Sequence, residues 1–217
     1  MSKIEQQAKS DGAKGDPSAM KDMPDGLKAL MSRAGKDKGK PPVHLWNPDF
    51  CGDLDMRIAS DGTWFYLGSP IGREALVRLF ASVLRKDDDG KTYLVTPVEK
   101  IGITVDDAHF QAVEMARKPS DQGEVLTFRT NVGDLISVDQ DHPFRFELEE
   151  GTAGLKAYIN VRGNLEARLT RALMYDLVAI AEEGEGEHEG YFGVISSGIF
   201  FPICSMAALN AFEAALA

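Results

Sequence analysis

Twelve residues, Asn47 to Ile58, hold the densest chemistry in the chain: NPDFCGDLDMRI sets Cys51, Asp53, Asp55 and Arg57 beside a glycine. A carboxylate can act as acid or base if a histidine converges on it, and a thiol can attack if a base ionises it. His142, in DQDHPFRFE with Asp139 and Asp141 close by, is the histidine most suited to shuttling protons. The catalytic reading is therefore a hydrolase or transferase using Asp53, Asp55, His142 and Cys51. The pattern itself favours scaffolding. On an extended strand residues 53, 55 and 57 share one face while Leu54, Met56 and Ile58 share the other. Arg57 then neutralises a neighbouring carboxylate and competes with a divalent ion for its oxygens.

Other signals for chemistry are weak. The four histidines, His44, His109, His142 and His188, show no metal-ligand spacing, so no metal site is predicted. Ser196-Ser197-Gly198 lacks the Gly-x-Ser-x-Gly elbow, and no Gly-Lys-Ser/Thr phosphate loop occurs. Two predicted helix starts carry a glycine beside an arginine, Gly72-Arg73 and Arg162-Gly163. Free N–H groups at a helix N-terminus with an adjacent guanidinium suit a small anionic or phosphorylated ligand. The plainer reading gives the glycine to a tight turn and the arginine to a nearby carboxylate.

The elements that must position these groups follow from periodicity. Residues 55–59 and 63–68 read as a hairpin around SDGT, and a helix follows after Ser69-Pro70, burying Leu76, Leu79, Phe80, Val83 and Leu84. Strands are predicted at 91–96 and 99–105, then in FQAVEMA, VLTFRT and LISV, with FRFEL and LKAYINV as a further hairpin. A second helix is predicted over 164–182, burying Leu165, Leu169, Leu173 and Leu177. Strands at 191–196 and 199–203 and a C-terminal helix, SMAALNAFEAALA, complete the chain.

This order suggests one motif built twice. ALVRLFASVL lies over RLTRALMYDL at an offset of 93, and YLVTPVEKIGITV over FGVISSGIFFPI at 99. Upstream, DLDMRI lies over DHPFRF at 88, which matches Asp53 with Asp141 and Arg57 with Arg145. The expected fold is thus α+β: two consecutive β-β-α-β-β repeats with mostly antiparallel sheets, extra linking strands and a C-terminal helix. Residues 1–40 are expected to be a disordered tail whose ordered candidate is a short helix at 25–34, with Leu27, Leu30, Met31 and Ala34 at helical spacing. Residues 41–138 form the first repeat plus linking strands, and 139–217 the second repeat plus the terminal helix.

Composition bounds the function. The chain has 217 residues, enough to bury a sizeable core, and no apolar run near the length that crosses a bilayer. Its start lacks the apolar stretch of a secretory signal, and its two cysteines, Cys51 and Cys204, are too few for a disulfide framework. Buried, reduced thiols in a cytoplasmic protein are the expectation. Residues 1–40 carry nine Lys/Arg against six Asp/Glu, while the remainder carries 15 against 28. So acidic a body repels phosphate backbones, and neither nucleic acid nor membrane is an expected partner.

The run PPVHLWNPDFCGDLDMRIASDGTWFYLGSPIGREALVRLFASVL, with VTPVEKIGI, TNVGD, DHPFRFE and SGIFFPI further on, resembles the bacterial domain-of-unknown-function family 1285. The resemblance spans about residues 41–203 and implies an unusual fold with repeated structural motifs and a role in signal transduction. It supplies no catalytic or ligand residues. A binding or regulatory protein is the reading the residues favour, its ligand a small anionic molecule or a protein partner, its cofactors unknown. The expected site is a cleft between the repeats lined by Trp46, Trp64, Tyr66 and Phe201, with Arg57 and Arg145 at its rim.

Overall fold

In the computed structural model of the chain, the described residues are 23–33, 40–148, 154–208 and 210. Most of the expected C-terminal helix, beyond a helical start at 206–208, lies outside them, as do residues 1–22 of the expected tail.

Within residues 1–40 the described segment 23–33 holds the short helix expected at 25–34. Helix α1 (Asp25–Arg33) rests on the body, with Met23 at 2% and Leu27 at 0% exposure. An isolated helix this short is not stable in water, so packing of its apolar face is what holds it.

The first half is a six-stranded sheet. β1 (Phe50–Ile58), β2 (Trp64–Tyr66) and β3 (Ser69–Pro70) form a meander, and α2 (Glu74–Ser82) leads to β4 (Leu84–Lys86), β5 (Thr92–Val95) and β6 (Lys100–Val105). The order is β3-β2-β1-β6-β5-β4, antiparallel except where β1 and β6 run parallel. The SDGT turn forms as predicted: Gly62 has φ +83°, and Asp61 accepts the Thr63 N–H at 2.9 Å. Ser69 does not cap α2; it lies in β3, and Arg73 occupies the N-cap position. The inward face of α2 buries Leu76 and Phe80, and the Trp64 indole stacks on Phe80 with centroids 6.3 Å apart.

The second half starts with strands that the sequence assigned to the first. β7 (Phe110–Ser120), β8 (Gly123–Thr130) and β9 (Leu135–Ser137) share a sheet with β10 (Phe144–Leu148), β11 (Leu155–Arg162) and β12 (Leu165–Leu169), in the order β10-β11-β12-β7-β8-β9. β12 pairs in parallel with β7, and this pairing fixes the boundary near residue 108, not 138. After α3 (Arg171–Ala179), a third sheet is built from β13 (Glu182–Glu183), β14 (Tyr191–Ser196) and β15 (Ile199–Ser205). It is fastened to β8 by Ser196, whose Oγ accepts the Leu126 N–H and donates to the Val138 carbonyl.

The helix expected over 164–182 is therefore a strand followed by a helix. Leu165, Ala167 and Leu169 are buried while Glu166 and Arg168 point away, the period of two that β11 and β7 impose from either side. Gly163, with φ +51°, makes the turn of the β11–β12 hairpin and not a helix start. The order of three strands, helix and three strands occurs twice, in β1–β6 with α2 and in β10–β15 with α3. The expected two-strand unit is not what recurs, and the helices correspond at an offset of 97, not 93. Pairing also differs: the first six strands close into one sheet through β1–β6, whereas β13–β15 stand apart from β10–β12. One apolar cluster nonetheless joins Met23, Trp64 and Phe80 to Phe128, Phe144 and Phe201.

Candidate functional site

Arg57 and Arg145 occupy matching positions. Each lies on the first strand of a hairpin over the aromatic ring directly across the pair: Arg57 over Phe65 at 4.8 Å, Arg145 over Tyr158 at 4.1 Å. Neither guanidinium is free for an anion. Arg57 pairs with Asp106 at 2.5 Å, while Arg145 forks onto Glu166 with two bonds of 2.7 Å and also reaches Glu147. Hydrogen bonding to Glu166 holds the Arg145 pKa above its ordinary value. Asp107, the next residue after Asp106, accepts from Tyr158 Oη and Arg168 of the second half, each at 2.7 Å. Consecutive carboxylates thus serve opposite sides of the junction. Asp141, the expected counterpart of Asp53, sits in a turn bonded to Asp139 and not on a strand.

The expected aromatic cleft is core instead. Trp64 and Tyr66 are 1% and 5% exposed in the first half, and Phe201 packs edge-on against Phe144 in the second. Side chains of that size reach solvent only by giving up burial worth roughly 1.5–3 kcal/mol each. Trp46 is half-buried, and its carbonyl accepts from Arg85 at 2.6 Å. Arg162 is not at a helix N-terminus; it donates to Asp134 at 2.8 Å and to the Ala81 carbonyl of α2 at 2.6 Å. Arg73 does stand exposed at the start of α2.

The four candidate catalytic groups do not assemble. No hydrogen bond or ion pair joins any two of Asp53, Asp55, His142 and Cys51 among the described residues. His142 is held inside its own turn, with Nδ1 3.1 Å from Asp139 Oδ1. Asp53 leans over Gly102, where its carboxylate fills the space a Cβ would need. Cys51 is exposed and Cys204 half-buried, so neither is the fully buried thiol expected; partial burial pushes the Cys204 pKa up. Among the described residues no group of three or more His, Cys, Asp or Glu is arranged to hold a metal ion. No described helix is long and apolar enough to cross a membrane.

What the fold does create is a cleft of about 620 Å³ where the two halves meet. The β4–β5 turn supplies Lys86, Asp87, Asp88 and Gly90, and the polar face of the second sheet supplies Arg145, Glu147, Asn160, Asn164 and Glu166. Most of the charge is already matched within the protein: Asp87 to Arg85 and Lys100, Glu147 and Glu166 to Arg145. Lys86 and Asp88 have no ion pair among the described residues. The halves are tied beside this cleft by Asn164 Nδ2, 3.4 Å from the Lys86 carbonyl, and by His109. The His109 ring is 4% exposed, and its Nδ1 accepts the Glu166 backbone N–H at 3.2 Å. Nε2 must then carry the proton, and it faces Thr92 Oγ1 at 3.1 Å. Burial lowers the His109 pKa to about 4, so the imidazole is neutral near pH 7 and has no free nitrogen for proton transfer. Sequence reading missed these cleft residues because Lys86 and Asp88 lay between a predicted helix and a predicted strand, and Asn160, Asn164 and Glu166 lay in a predicted hairpin and helix.

Fold and site together define an α+β protein of two sheet-built halves meeting over a polar cleft. The comparisons agree on the division: the first half matches the N-terminal domain of DUF1285, a domain of unknown function, at residues 41–108, and the second matches the C-terminal domain of DUF1285 proteins at 109–203. The chain belongs to the DUF1285 family. It is similar to the crystal structure of a DUF1285 family protein from Silicibacter pomeroyi DSS-3, with 47% identity and a TM-score of 0.77 over 87% of this chain and 100% of that one. A second, from Shewanella baltica OS155, is 30% identical over 57% of this chain and 90% of that one, with a TM-score of 0.46. No curated protein matches the chain.

Proposed function

We propose that this chain is a binding protein and not a catalyst, and that it takes a small molecule bearing both an amino and an acidic group in the cleft between its halves. The supporting observation is the pairing pattern of the lining. Lys86 and Asp88 remain without an ion pair among the described residues, while the charges around them are matched. An ammonium and a carboxylate on one ligand would complement the two, and the side-chain oxygens of Asn160 and Asn164, whose Nδ2 groups already bond the Gly163 and Lys86 carbonyls, add acceptors from the second half. The purely anionic ligand expected at Arg73 and Arg162, with Arg57 and Arg145 as rim, is less favoured, since carboxylates already engage Arg57, Arg145 and Arg162 and Arg73 does not line the cleft. A ligand touching both halves would tighten their junction, and this suits a regulatory role in bacterial signal transduction. Two free cysteines accord with a reducing, cytoplasmic setting.

The test is a thermal-shift panel of amino acids, simple amines and simple carboxylic acids on the whole chain. A ligand present at a hundred times its dissociation constant adds about 2.7 kcal/mol to stability, a shift that is readily seen. Zwitterions are expected to raise the melting temperature, and Lys86→Met and Asp88→Asn each to abolish the rise. If no zwitterion does so, or if both variants keep the response, the cleft is not the site.

A further inference from the structure

Because α2 and α3 correspond at an offset of 97, α2 shows what the outer face of this motif looks like when water covers it. There Glu74 precedes Arg78 by one turn and pairs with it at 3.0 Å, the order that the helix's own dipole favours. The matching positions of α3 are Arg171 and Tyr175. The Tyr175 side chain is 62% exposed, and its hydroxyl accepts from Arg171 Nε at 3.1 Å. Ala172, Val178 and Ala179 are exposed beside it, while Leu173, Met174 and Leu177 already fill the core side. A helix that is apolar on its outer as well as its inner face is built to be covered on both.

The two charges of this face, Arg171 and Asp176, stand at the wrong ends of the helix that carries them. A cation in the first turn and an anion in the last oppose the macrodipole, and α3 has no acidic residue in its first turn and no basic one in its last to offset them. Against an antiparallel copy of α3 both are well placed. With the copy centred between Ala172 and Tyr175, each Arg171 stands opposite the other copy's Asp176, in the last turn of that helix. Each Tyr175 ring then meets the small side chain of the other copy's Ala172. The face is complementary to itself, as a two-fold contact requires.

We propose that the outer face of α3 is the surface through which two copies of this chain pair about a two-fold axis, with the two helices antiparallel. Tyr175 and Val178 supply the apolar contact, and the pair of Arg171 with Asp176, made twice, fixes direction and register. A contact between two nine-residue helices falls below the roughly 1,200 Å² of a standard interface, so the pairing belongs to the weak, reversible class. No residue of α3 lines the ligand cleft, and the pairing stands independently of it.

Sedimentation equilibrium of the full chain, from micromolar to millimolar concentration, is expected to show monomer and dimer in exchange. Tyr175→Glu should weaken the dimer about tenfold or more. Arg171→Asp and Asp176→Arg, each alone, set like charges against each other twice and should weaken it by a similar factor. An equimolar mixture of these two variants puts aspartates on one copy against arginines on the other, and should recover most of the lost affinity. Arg171→Asp suits the dipole of its own helix, so thermal melts should show this variant no less stable than the wild type, and its loss of pairing is then not a loss of fold. Should Tyr175→Glu not fold, the charge-swapped mixture decides alone. A wild type that stays monomeric throughout, single charge variants that pair as it does, or a mixture that stays monomeric would each overturn the proposal and leave the face to a different occupant.

Discussion

Thr92 on β5 meets His109, the first residue of the second family-matched region, across a 3.1 Å hydrogen bond, and the other ring nitrogen takes the Glu166 N–H. Both ring positions are spent, one on each half, so His109 is a rivet. Its folded pKa of about 4 lies below the ordinary 6.5 because the buried ring resists charge. Between those values the unfolded chain binds a proton that the folded chain refuses, so stability is complete above pH 6.5 and falls as pH drops toward 4. The gap between the two pKa values is worth about 3 kcal/mol. Urea unfolding at pH 7.5 and pH 4 should show His109→Gln losing less than the wild type by about that amount. Identical pH dependence in both proteins would contradict the assignment.

Leu67 turns from β2 to β3 with φ +48° and stands about half exposed, followed by Gly68 at φ +72°. Two successive positive φ angles mark a type I′ hairpin turn, which Asn-Gly forms without strain and Leu-Gly does not. A left-handed conformation costs a side chain like leucine about 1–2 kcal/mol. Leu67→Asn is therefore expected to raise stability by about 1 kcal/mol, read as a higher denaturant midpoint at unchanged slope. A lower midpoint would mean that the leucine packs better than its exposure suggests.

Much of this arrangement is legible from sequence, and the misreadings have physical causes. The SDGT turn, the inward face of α2 and the strands at 92–95 and 191–196 follow from local patterns that tertiary contacts reinforce. Leu165 and Leu169 misled because a spacing of four fits both a helix and alternate strand positions. The intervening Ala167 is fully buried, and it is the parallel pairing with β7 that selects the strand. Aromatic residues clustered near the hairpins suggested a lined cleft, yet Trp64 and Tyr66 point inward. The cleft that does form joins residues some 60–80 positions apart, such as Lys86 and Asn164, which no local pattern can bring together.

Gly193 on β14 faces the partner strand so closely that a Cβ would lie 2.4 Å from the Phe201 carbonyl oxygen and 2.6 Å from the Phe200 ring. A backbone oxygen cannot swing aside as a side chain can. Gly193→Ala should destabilise the chain by about 1–3 kcal/mol, the range expected of overpacking, although alanine ordinarily suits a strand better than glycine. Circular dichroism melts of the two proteins decide the matter, and an unchanged or raised midpoint would show that β14 and β15 separate without cost.

Arg162 bridges the halves from the second side. Its guanidinium forks to Asp134 at 2.8 Å and the Ala81 carbonyl at 2.6 Å, and it lies 5.0 Å over the Phe110 ring. Arg162→Ala removes both bonds from a partly buried junction and leaves Asp134 with Lys40 alone, so it is expected to cost about 1–3 kcal/mol. Arg162→Lys tests whether charge alone suffices: an ammonium cannot present two directed N–H groups in a fixed plane, so lysine should restore less than half of the loss. Adding Asp134→Asn to Arg162→Ala should recover little of it, because Lys40 still pairs with the carboxylate in the single variant. Denaturant unfolding of the four proteins gives the comparison. If lysine matched arginine, the junction would depend on net charge, and the fork to Ala81 would contribute nothing to holding α2 against the second sheet.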